Sequence, residues 1–406
     1  MAKLSENANA ENWLKQFSGA EKEVAASLID QILLVSRDSL ASQLQSLIQR
    51  ISADDINFQG PIALFAEREI IKSGREIPAY FENTEKGRAN GSGAPPIMVD
   101  PKSQEVGSEG IIANIITDYC RQNRENYISH PGPSLMRAKR VRQIVILTDF
   151  IGSGQRLVTM LESFSKVATI RSWRSYHLIR FVIIAYSGTS KGIRAVRSHK
   201  LQPVVTTFIG CPTITSSFTG ALRSNIISLC KTYPKQHDFP LGYKDSGALI
   251  AFAHGCPNNV PPIIHSKKNK WTPLFPGRST TISFSAFSDL GEYGEVNKSC
   301  QTILNAQMAL DCGEGKDWIY AMLILAVSGS RSPNFQTISA QTHIPLVDVE
   351  RVVKLSKEAL WLNDAMHLTE LGRMELDRLR RRRSKSPLRL AIGENELYYP
   401  TGLRGS

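Results

Sequence analysis

A short apolar run leads directly into a glycine-rich loop, and this junction constrains the fold of the chain more than any other feature. The run is Gln143-Ile144-Val145-Ile146-Leu147, and the loop is Asp149-Phe150-Ile151-Gly152-Ser153-Gly154. A run this short and β-branched is typical of a strand buried on both faces of a parallel sheet. Apolar residues between Leu157 and Phe164 then indicate an amphipathic helix. The junction therefore predicts consecutive strand, loop and helix.

Other apolar runs alternate with helical patterns around this junction. Strands are predicted at residues 61–66, 181–186 and 204–208, and a helix follows Gly107-Ser108-Glu109-Gly110. Residues 11–52 have helical spacing, whereas residues 83–108 are rich in Gly, Ser, Pro and Asn and indicate a long loop. The alternation predicts an α/β domain with a mostly parallel sheet flanked by helices.

The distribution of these patterns predicts four regions in the 406 residues. They are an N-terminal helical segment at 1–55, an α/β domain at 56–300, a helix-turn-helix domain at 301–383 and a basic tail at 384–406. The length alone is typical of about two or three domains. The helical segment carries no visible chemistry, and we interpret it as a structural cap.

The chain is basic, with 49 Lys and Arg against 37 Asp and Glu and a formal net charge of +12. A positive balance favours polyanionic partners, although a solvated basic surface has the same composition. No apolar run approaches the ~20 residues that span a bilayer, and the N-terminus has no secretory pattern. We therefore expect a cytoplasmic protein without a membrane partner.

Cysteine and histidine spacing gives no sign of a metal site. The six cysteines are scattered without a C-x-x-C pair, which argues against structural zinc and against a disulfide framework. The eight histidines fall in no metal-binding frame. We therefore predict no metal held by protein side chains alone.

The glycine loop has the chemistry of a phosphate site. Glycines let backbone N–H groups converge, and the following helix adds its N-terminal dipole and unpaired donors. A carboxylate at the end of the strand, that of Asp149, is placed to accept hydrogen bonds from a ribose diol. The spacing matches neither a P-loop nor a dinucleotide fingerprint. A ribose 5-phosphate site and a plain strand-to-helix turn both remain open at this point.

Ile144 to Leu157 resembles the phosphoribosyl-diphosphate signature of type I phosphoribosyltransferases. Two positions depart from that signature, because Thr148 stands where the first acid is expected and Gly152 replaces the first hydroxyl residue. The resemblance implies that the acids hold the ribose hydroxyls and the loop amides hold the 5-phosphate. It predicts Asp149 as the catalytic residue and a ligand-binding set of Thr148, Gly152, Ser153, Gly154 and Gln155.

Several segments are similar to a divergent phosphoribosyltransferase-like family of bacterial conflict and anti-phage loci. Besides the loop, they are Trp13-Leu14-Lys15-Gln16-Phe17, the segment 254–261, Trp271 and the segment 273–278. The resemblance spans roughly residues 11–285. Within it, Asn258 and Asn259 are candidates to hydrogen-bond a base or ribose, or to shape a turn.

A diphosphate group requires cations and backbone amides near the end of the first sheet strand. Arg68, Arg75 and the loop Lys72-Ser73-Gly74 lie there and match the position of the family's diphosphate loop, although a solvated surface is the alternative. Mg²⁺ bound through the diphosphate of the ligand needs few protein ligands. It is the one cofactor that the resemblance implies.

Residues 310–383 resemble a winged helix, and 367–373 are similar to its wing exit and last helix. Its presumed recognition helix carries Arg351, Lys354 and Lys357, which favour contact with nucleic acid. Asp348 and Glu350 on the same helix would repel DNA, so a protein-docking role stays open. Arg380 and Arg381 in the basic run either bind phosphates or form a solvated helix end.

Taken together, the resemblances imply an effector of a bacterial anti-phage system of the toxin–antitoxin or retron type. It would bind phosphoribosyl diphosphate or a nucleotide, and transfer or cleave a glycosidic bond on nucleotides or nucleic acid. In a retron-type system a reverse transcriptase and its RNA–DNA product would silence it through the winged helix. The alternatives are a ligand-sensing transcriptional regulator without catalysis, which Thr148 favours, and a structural adaptor.

Overall fold

The computed structural model describes residues 3–53, 58–71, 74, 76–83, 88–91, 108–234, 238–268, 271–280, 294–304, 316–328 and 333–382. In the last turn of the final helix, residues 380–382 are described by their backbone alone. Among the described residues, no helix is both long and apolar enough to cross a membrane.

A parallel sheet of five strands forms the centre of the molecule. The described strands are β1 (Leu33–Val35), β2 (Ile62–Ala66), β3 (Glu82–Asn83), β4 (Ala89–Asn90), β5 (Tyr127–Ser129), β6 (Gln143–Ile151), β7 (Arg180–Gly188), β8 (Val204–Gly210) and β9 (Ile250–Phe252). The five-stranded sheet has the order β5-β2-β6-β7-β8, and β3 and β4 form a small antiparallel pair. Every pairing in the five-stranded sheet is parallel, as the sequence predicts.

Helices cover both faces of this sheet and form the C-terminal region. The described α-helices are α1 (Ala8–Leu14), α2 (Ala20–Asp30), α3 (Arg37–Ala53), α4 (Ser108–Gln122), α5 (Pro133–Ala138), α6 (Gln155–Ser165), α7 (Ala168–Ser175), α8 (Ser190–Arg197), α9 (Ile214–Ser217), α10 (Gly220–Thr232), α11 (Pro262–His265), α12 (Gly294–Ile303), α13 (Lys316–Val327), α14 (Phe335–Thr342), α15 (Leu346–Glu358) and α16 (Glu370–Arg382).

Residues Ile144 to Leu147 of strand β6 are all apolar because they contribute to two cores. Val145 and Leu147 belong to the core beneath the N-terminal helices and α4, whereas Ile144 and Ile146 belong to the core beneath α6, α7 and α8. Alternate side chains of a strand point to opposite faces of a sheet. Burial on both faces therefore requires an uninterrupted apolar run, and the strand predicted from that run is confirmed.

The N-terminal segment shares the first of these cores instead of forming a separate unit. Its strand β1 pairs in parallel with β9, more than 200 residues later in the sequence. Trp13 and Trp271 are in edge contact, and the indole N–H groups of both donate to the carbonyl oxygen of Ile263, at 3.3 and 2.8 Å. Trp13 and Trp271 lie near the two ends of the region that resembles the family, and these two ends are thus in direct contact.

The C-terminal region is a winged helix with its own core. Helices α13 to α16 pack around Ile324, Ile338 and Val352, and a bridge between Leu362 and Leu368 forms the wing. The predicted helix-turn-helix arrangement is confirmed by α14 and α15.

The winged helix covers the edge strand β8 through its helix α14. The N–H of Gly210 donates to the hydroxyl of Ser339 at 2.9 Å, and that hydroxyl donates to the carbonyl of Ile344 at 2.6 Å. A Cβ at Gly210 would collide with the backbone of Gln336 and Ala340. This close packing covers part of the edge strand β8, whose unpaired backbone groups would otherwise be free to pair with another chain.

Candidate active site

The candidate active site lies where the sheet reverses its strand order. In chain order, the five strands are arranged 2-1-3-4-5. In such sheets ligands bind beyond the carboxyl ends of the two strands at the reversal, which here are β2 and β6. Glu67 follows β2 directly, and its N–H donates to the carbonyl of Leu147 in β6 at 2.7 Å. Asp149 lies near the end of β6.

Thr148 brings two carboxylates of this site together. Its hydroxyl donates to Oε2 of Glu67 at 2.6 Å and lies 3.3 Å from Oδ1 of Asp149. Thr148 and Glu67 are both buried. The sequence lacks an acid at position 148, but the neighbouring strand supplies a carboxylate beside it. Sequence reasoning missed Glu67, although Glu67, like Asp149, is an acid at the carboxyl end of a buried strand.

Burial raises the pKa of Glu67 to about 7. Arg156 and the hydroxyl of Thr148 oppose this increase, whereas the charges of Asp149 and Glu109 add to it. A carboxyl group with a pKa near neutrality populates both protonation states and is suited to general acid–base chemistry. Strongly shifted groups at a ligand-binding edge are candidates for function.

Asp149 has a second partner, His254. Its Oδ2 lies 2.9 Å from Nε2 of His254, and both side chains are largely buried. The ring of His254 stacks on Phe252, with 5.1 Å between the ring centroids. Within the described residues, Nδ1 of His254 has no hydrogen-bond partner. The pair fixes the orientation of the Asp149 carboxylate, which gives the His254 segment of the family resemblance a role at the site.

The glycine loop is held by close packing on α8 and on the segment after β9. Gly154 has a φ of 74°, and a Cβ there would lie 2.6 Å from the carbonyl oxygen of Gly192. The carbonyl of Gly152 accepts a hydrogen bond of 2.6 Å from the hydroxyl of Thr189. A Cβ at Gly152 would collide with the side chain of Asn259. Glycine is therefore required at both positions for this loop shape.

The loop leaves donors available at the start of α6. Among the described residues, no acceptor is found for the backbone N–H groups of Ser153 and Gly154, and the N–H of Gln155 donates weakly to the Ser153 hydroxyl at 3.3 Å. These donors and the helix N-terminus together favour an anion. The predicted loop residues thus place these donors between Asp149 and the start of α6.

Two cations at the mouth of the site were missed by sequence reasoning. Arg156, in the first turn of α6, forms an ion pair with Glu109. The negative charges of Glu67 and Asp149 also attract its guanidinium group. Lys244 donates to the side-chain oxygen of Gln155 at 3.2 Å. Neither residue belongs to a recognisable motif, because the fold alone brings them to the loop.

The two asparagines differ in their surroundings. Asn259 is buried, and its amide nitrogen donates to the hydroxyl of Ser246 at 3.1 Å while its side chain packs on Gly152. Asn258 has an exposed side chain, and its backbone carbonyl accepts from the N–H of Tyr243 at 3.0 Å. The turn-shaping interpretation fits Asn259, and Asn258 remains a candidate for ligand contact.

The predicted diphosphate loop lies mostly outside the described residues, which include neither Lys72, Ser73 nor Arg75. Gly74 is described, with a φ of 63° and open space around its Cα. Arg68 is buried and interacts with Tyr80, whose pKa is raised to about 12 by burial in spite of this cation. The charge of Arg68 is therefore directed into the protein.

His130 supports the end of β2 from inside the protein. Burial and the charge of Arg68 lower its pKa to about 4, so the ring is neutral at physiological pH. Its Nε2 accepts a hydrogen bond of 3.0 Å from the N–H of Ala66, next to Glu67. The neutral ring fixes the backbone from which Glu67 projects.

Two of the basic residues predicted to contact nucleic acid, Arg351 and Lys357, are engaged within the winged helix. Arg351 pairs with Asp317 and with Asp348, the latter at 3.0 Å. Lys357 donates to the carbonyl of Asp364 at 3.0 Å, and Lys354 is exposed. Arg380 and Arg381 lie in α16, and their side chains are outside the described residues.

The described residues contain neither a preformed metal-ligand cluster nor a disulfide. Over the described part of the chain, no cluster of three or more His, Cys, Asp or Glu side chains is arranged to hold a metal ion. Five cysteines in the same part are buried and free; they are Cys120, Cys211, Cys230, Cys256 and Cys300.

Comparison with known proteins gives two family matches. The model of a family described as PRTase-CE matches residues 10–276, which is more than half of the chain. A second model, described as wHTH-PRTase associated, matches residues 321–405. No curated protein and no solved structure gives a significant match. The first match covers the sheet, the glycine loop and the His254 segment, and the second covers most of the winged helix.

Proposed function

The chain belongs to the PRTase-CE family, and from this premise we propose that its α/β domain binds a phosphorylated ribose and forms or cleaves a glycosidic bond. The ligand is phosphoribosyl diphosphate or a nucleotide. The observation that carries the proposal is the Glu67–Thr148–Asp149 cluster beside the glycine loop at the strand reversal. Both the sugar and the phosphate of such a ligand find complementary groups there.

In this proposal the 5-phosphate binds the N–H groups of Ser153 and Gly154, with the Ser153 hydroxyl as a further donor. Arg156 is close enough to the loop to exchange its Glu109 partner for a phosphate oxygen. The carboxylate of Asp149, held by His254, accepts hydrogen bonds from the ribose hydroxyls. Charge-assisted hydrogen bonds of these two kinds are the stronger ones in proteins.

The reaction takes place at the anomeric carbon of the ribose. The bond from this carbon to diphosphate or to a base breaks, and a bond to the acceptor forms. Positive charge develops on the sugar, and the carboxylates of Glu67 and Asp149 stabilise it electrostatically. With a pKa of about 7, Glu67 is suited to take the proton that the acceptor loses, or to protonate a departing base.

A diphosphate leaving group needs cations beyond Arg156. The loop Lys72-Ser73-Gly74 remains our proposal for this contact, because it follows β2 at the same edge of the sheet. Mg²⁺ would be held mainly by diphosphate oxygens, with Asp149 or Glu67 as its protein ligand. Bound there, it would neutralise the charge that builds up on the leaving group.

We further propose that the protein is an effector of a bacterial anti-phage system, kept silent by a partner at its winged helix. In the retron-type version, that partner is a reverse transcriptase with its RNA–DNA product, and the positive charge of the chain favours such a polyanion. The alternative of a DNA-binding regulator has less support. Arg351 is paired with two aspartates, and α14 is packed on β8.

Induced expression in a bacterial host tests the effector proposal. We expect growth arrest together with a changed nucleotide pool, measured by mass spectrometry, from the wild-type chain. Asp149→Ala should abolish both effects at equal protein level. Asp118→Ala is the matched control, because Asp118 is an exposed aspartate of α4 away from the site. Arrest by the Asp149→Ala protein, or arrest with unchanged nucleotides, would contradict the proposal.

A further inference from the structure

A cavity lies at the junction between the α/β domain and the winged helix, away from the Glu67–Asp149 site. Its volume is about 160 Å³. Its polar wall is formed by the end of α2, the turn between α9 and α10, α12, and the end of α14. The polar side chains that line it include those of Gln31, Ser217, Thr219, Ser299, Gln341 and His343.

Two buried polar atoms in this wall lack partners. Within the described residues, neither Oγ of Ser217 nor Oε1 of Gln341 has a hydrogen-bond partner. The Gln341 amide cannot simply be turned over, because its nitrogen donates to the carbonyl of Ser216 at 2.8 Å. Reversing it would place two acceptors face to face. Buried polar groups are nearly always hydrogen-bonded, so these two atoms indicate a missing partner.

The lining also defines the charge of that partner. The described residues around the cavity include no Lys, Arg, Asp or Glu. With His343 as the one titratable side chain among these residues, a phosphate, a carboxylate or a metal ion would find no fixed charge there, which disfavours these ligands on energetic grounds. Hydroxyl and amide groups instead offer both donors and acceptors, and Ile303 and Val327 add apolar surface. The complementary ligand is neutral, with polar edges and apolar faces.

The size limits the ligand to about one ring system. A dry cavity of about 150 Å³ in another protein holds one benzene molecule. The present cavity is similar in volume, but hydroxyl and amide groups form part of its lining beside apolar surface. From size, charge and hydrogen-bonding capacity together, we propose that it binds a neutral nitrogen heterocycle of the nucleobase class.

The position of the cavity gives such a ligand a regulatory role. It would contact Ser217 on the α/β domain and Gln341 on the winged helix, and so stabilise their association. The segment before Ser217 is hydrogen-bonded to the segment that leads to His254. The N–H of Ile214 donates to the carbonyl oxygen of Gly247 at 2.9 Å, and the N–H of Leu249 donates to the carbonyl oxygen of Pro212 at 2.8 Å. The inference goes beyond the proposed reaction and does not require it.

Isothermal titration of the full chain with cytosine, uracil, adenine and hypoxanthine tests this proposal. We expect saturable binding of at least one base with one site per chain. Benzene, which has a comparable size but no hydrogen-bonding groups, should bind more weakly. If no base binds at millimolar concentration, the cavity holds water only and the proposal is wrong.

Substitutions then locate the bound base. Ser217→Ala should weaken binding at least 10-fold and leave the melting temperature of the free protein unchanged, because this hydroxyl stabilises nothing in the described structure. Ser224→Ala, on the exposed side of α10, is the control with no effect. Asp149→Asn should bind the base as the wild type does. Loss of binding in Asp149→Asn with retention in Ser217→Ala would overturn the proposal, because the base would then occupy the candidate active site.

Discussion

The carboxyl group of Glu67 combines burial with the neighbouring charge of Asp149, and both disfavour its ionisation. The hydroxyl of Thr148 is shared between these two acids, so a threonine is as useful here as an acid would be. A third carboxylate at position 148 would raise the electrostatic cost of the cluster further. The substitution of threonine for the expected acid is therefore consistent with a site that obtains its second carboxylate from β2.

The raised pKa of Glu67 has a measurable effect on stability. The folded protein holds this proton more tightly than the unfolded chain, in which the pKa is about 4.5. Stability from this group is therefore highest below about pH 4.5 and is lost as the pH rises toward 7. At about 1.4 kcal/mol per pKa unit, the loss is on the order of 3–4 kcal/mol.

We predict that Glu67→Gln removes this loss, because glutamine does not titrate. Chemical denaturation between pH 4.5 and 8 should show the free energy of unfolding of the wild type falling relative to that of the variant. His130 titrates in both proteins and cancels in the comparison. Parallel pH profiles would show that Glu67 has an ordinary pKa.

At the scale of elements, α6 and α8 together give the glycine loop its shape. Gly192 lies in the first turn of α8, and a Cβ there would collide with the carbonyl of Gly152. The contact is between backbones, so neither side can give way by rotating a side chain. The loop and this helix turn must move together.

We predict that Gly192→Ala disrupts ligand binding, although alanine is the better helix former by about 1 kcal/mol. The added methyl group should displace the loop and weaken binding of ribose 5-phosphate at least 10-fold, as measured by titration calorimetry. Ser190→Ala, at the exposed start of the same helix, should bind normally. Wild-type affinity in Gly192→Ala would show that the loop does not hold the phosphate.

The sequence predicts elements well where the signal is local. The runs that form β2, β6, β7 and β8 are short and rich in apolar residues, so each is predicted from the sequence; the first three are buried on both faces, and β8 lies at the edge of the sheet. Strands β1 and β9 were missed, because each has three residues and they pair across more than 200 positions. The site follows the same rule: Asp149 and its loop are a local motif, whereas the positions of Glu67 and Arg156 and the contact of His254 with Asp149 depend on the fold.

At the scale of the whole molecule, the winged helix is joined to the sheet through Ser339. Its hydroxyl satisfies the buried N–H of Gly210 and donates to Ile344. The side chains of Gln336 and Gln341 add contacts to Thr207 and to the carbonyl of Ser216. A partner at the winged helix is thus connected to β8 by direct hydrogen bonds.

We predict that Ser339→Ala loosens this association. The buried N–H of Gly210 loses its acceptor, which costs about 1–3 kcal/mol. Hydrogen exchange should accelerate in β8 and α14, while β6 at the centre of the sheet stays protected. Thr337→Ala, two residues before Ser339 in α14, is the control. Equal exchange in the wild type and Ser339→Ala would show that this bond does not hold the domains together.

The central claim is that the Asp149 loop binds a phosphorylated ribose, and titration calorimetry with phosphoribosyl diphosphate and Mg²⁺ tests it most directly. The account predicts saturable binding with one site per chain, weakened at least 10-fold by Asp149→Asn and unchanged by Asp118→Asn. Absence of binding to the folded wild type, or equal binding by Asp149→Asn, would contradict it.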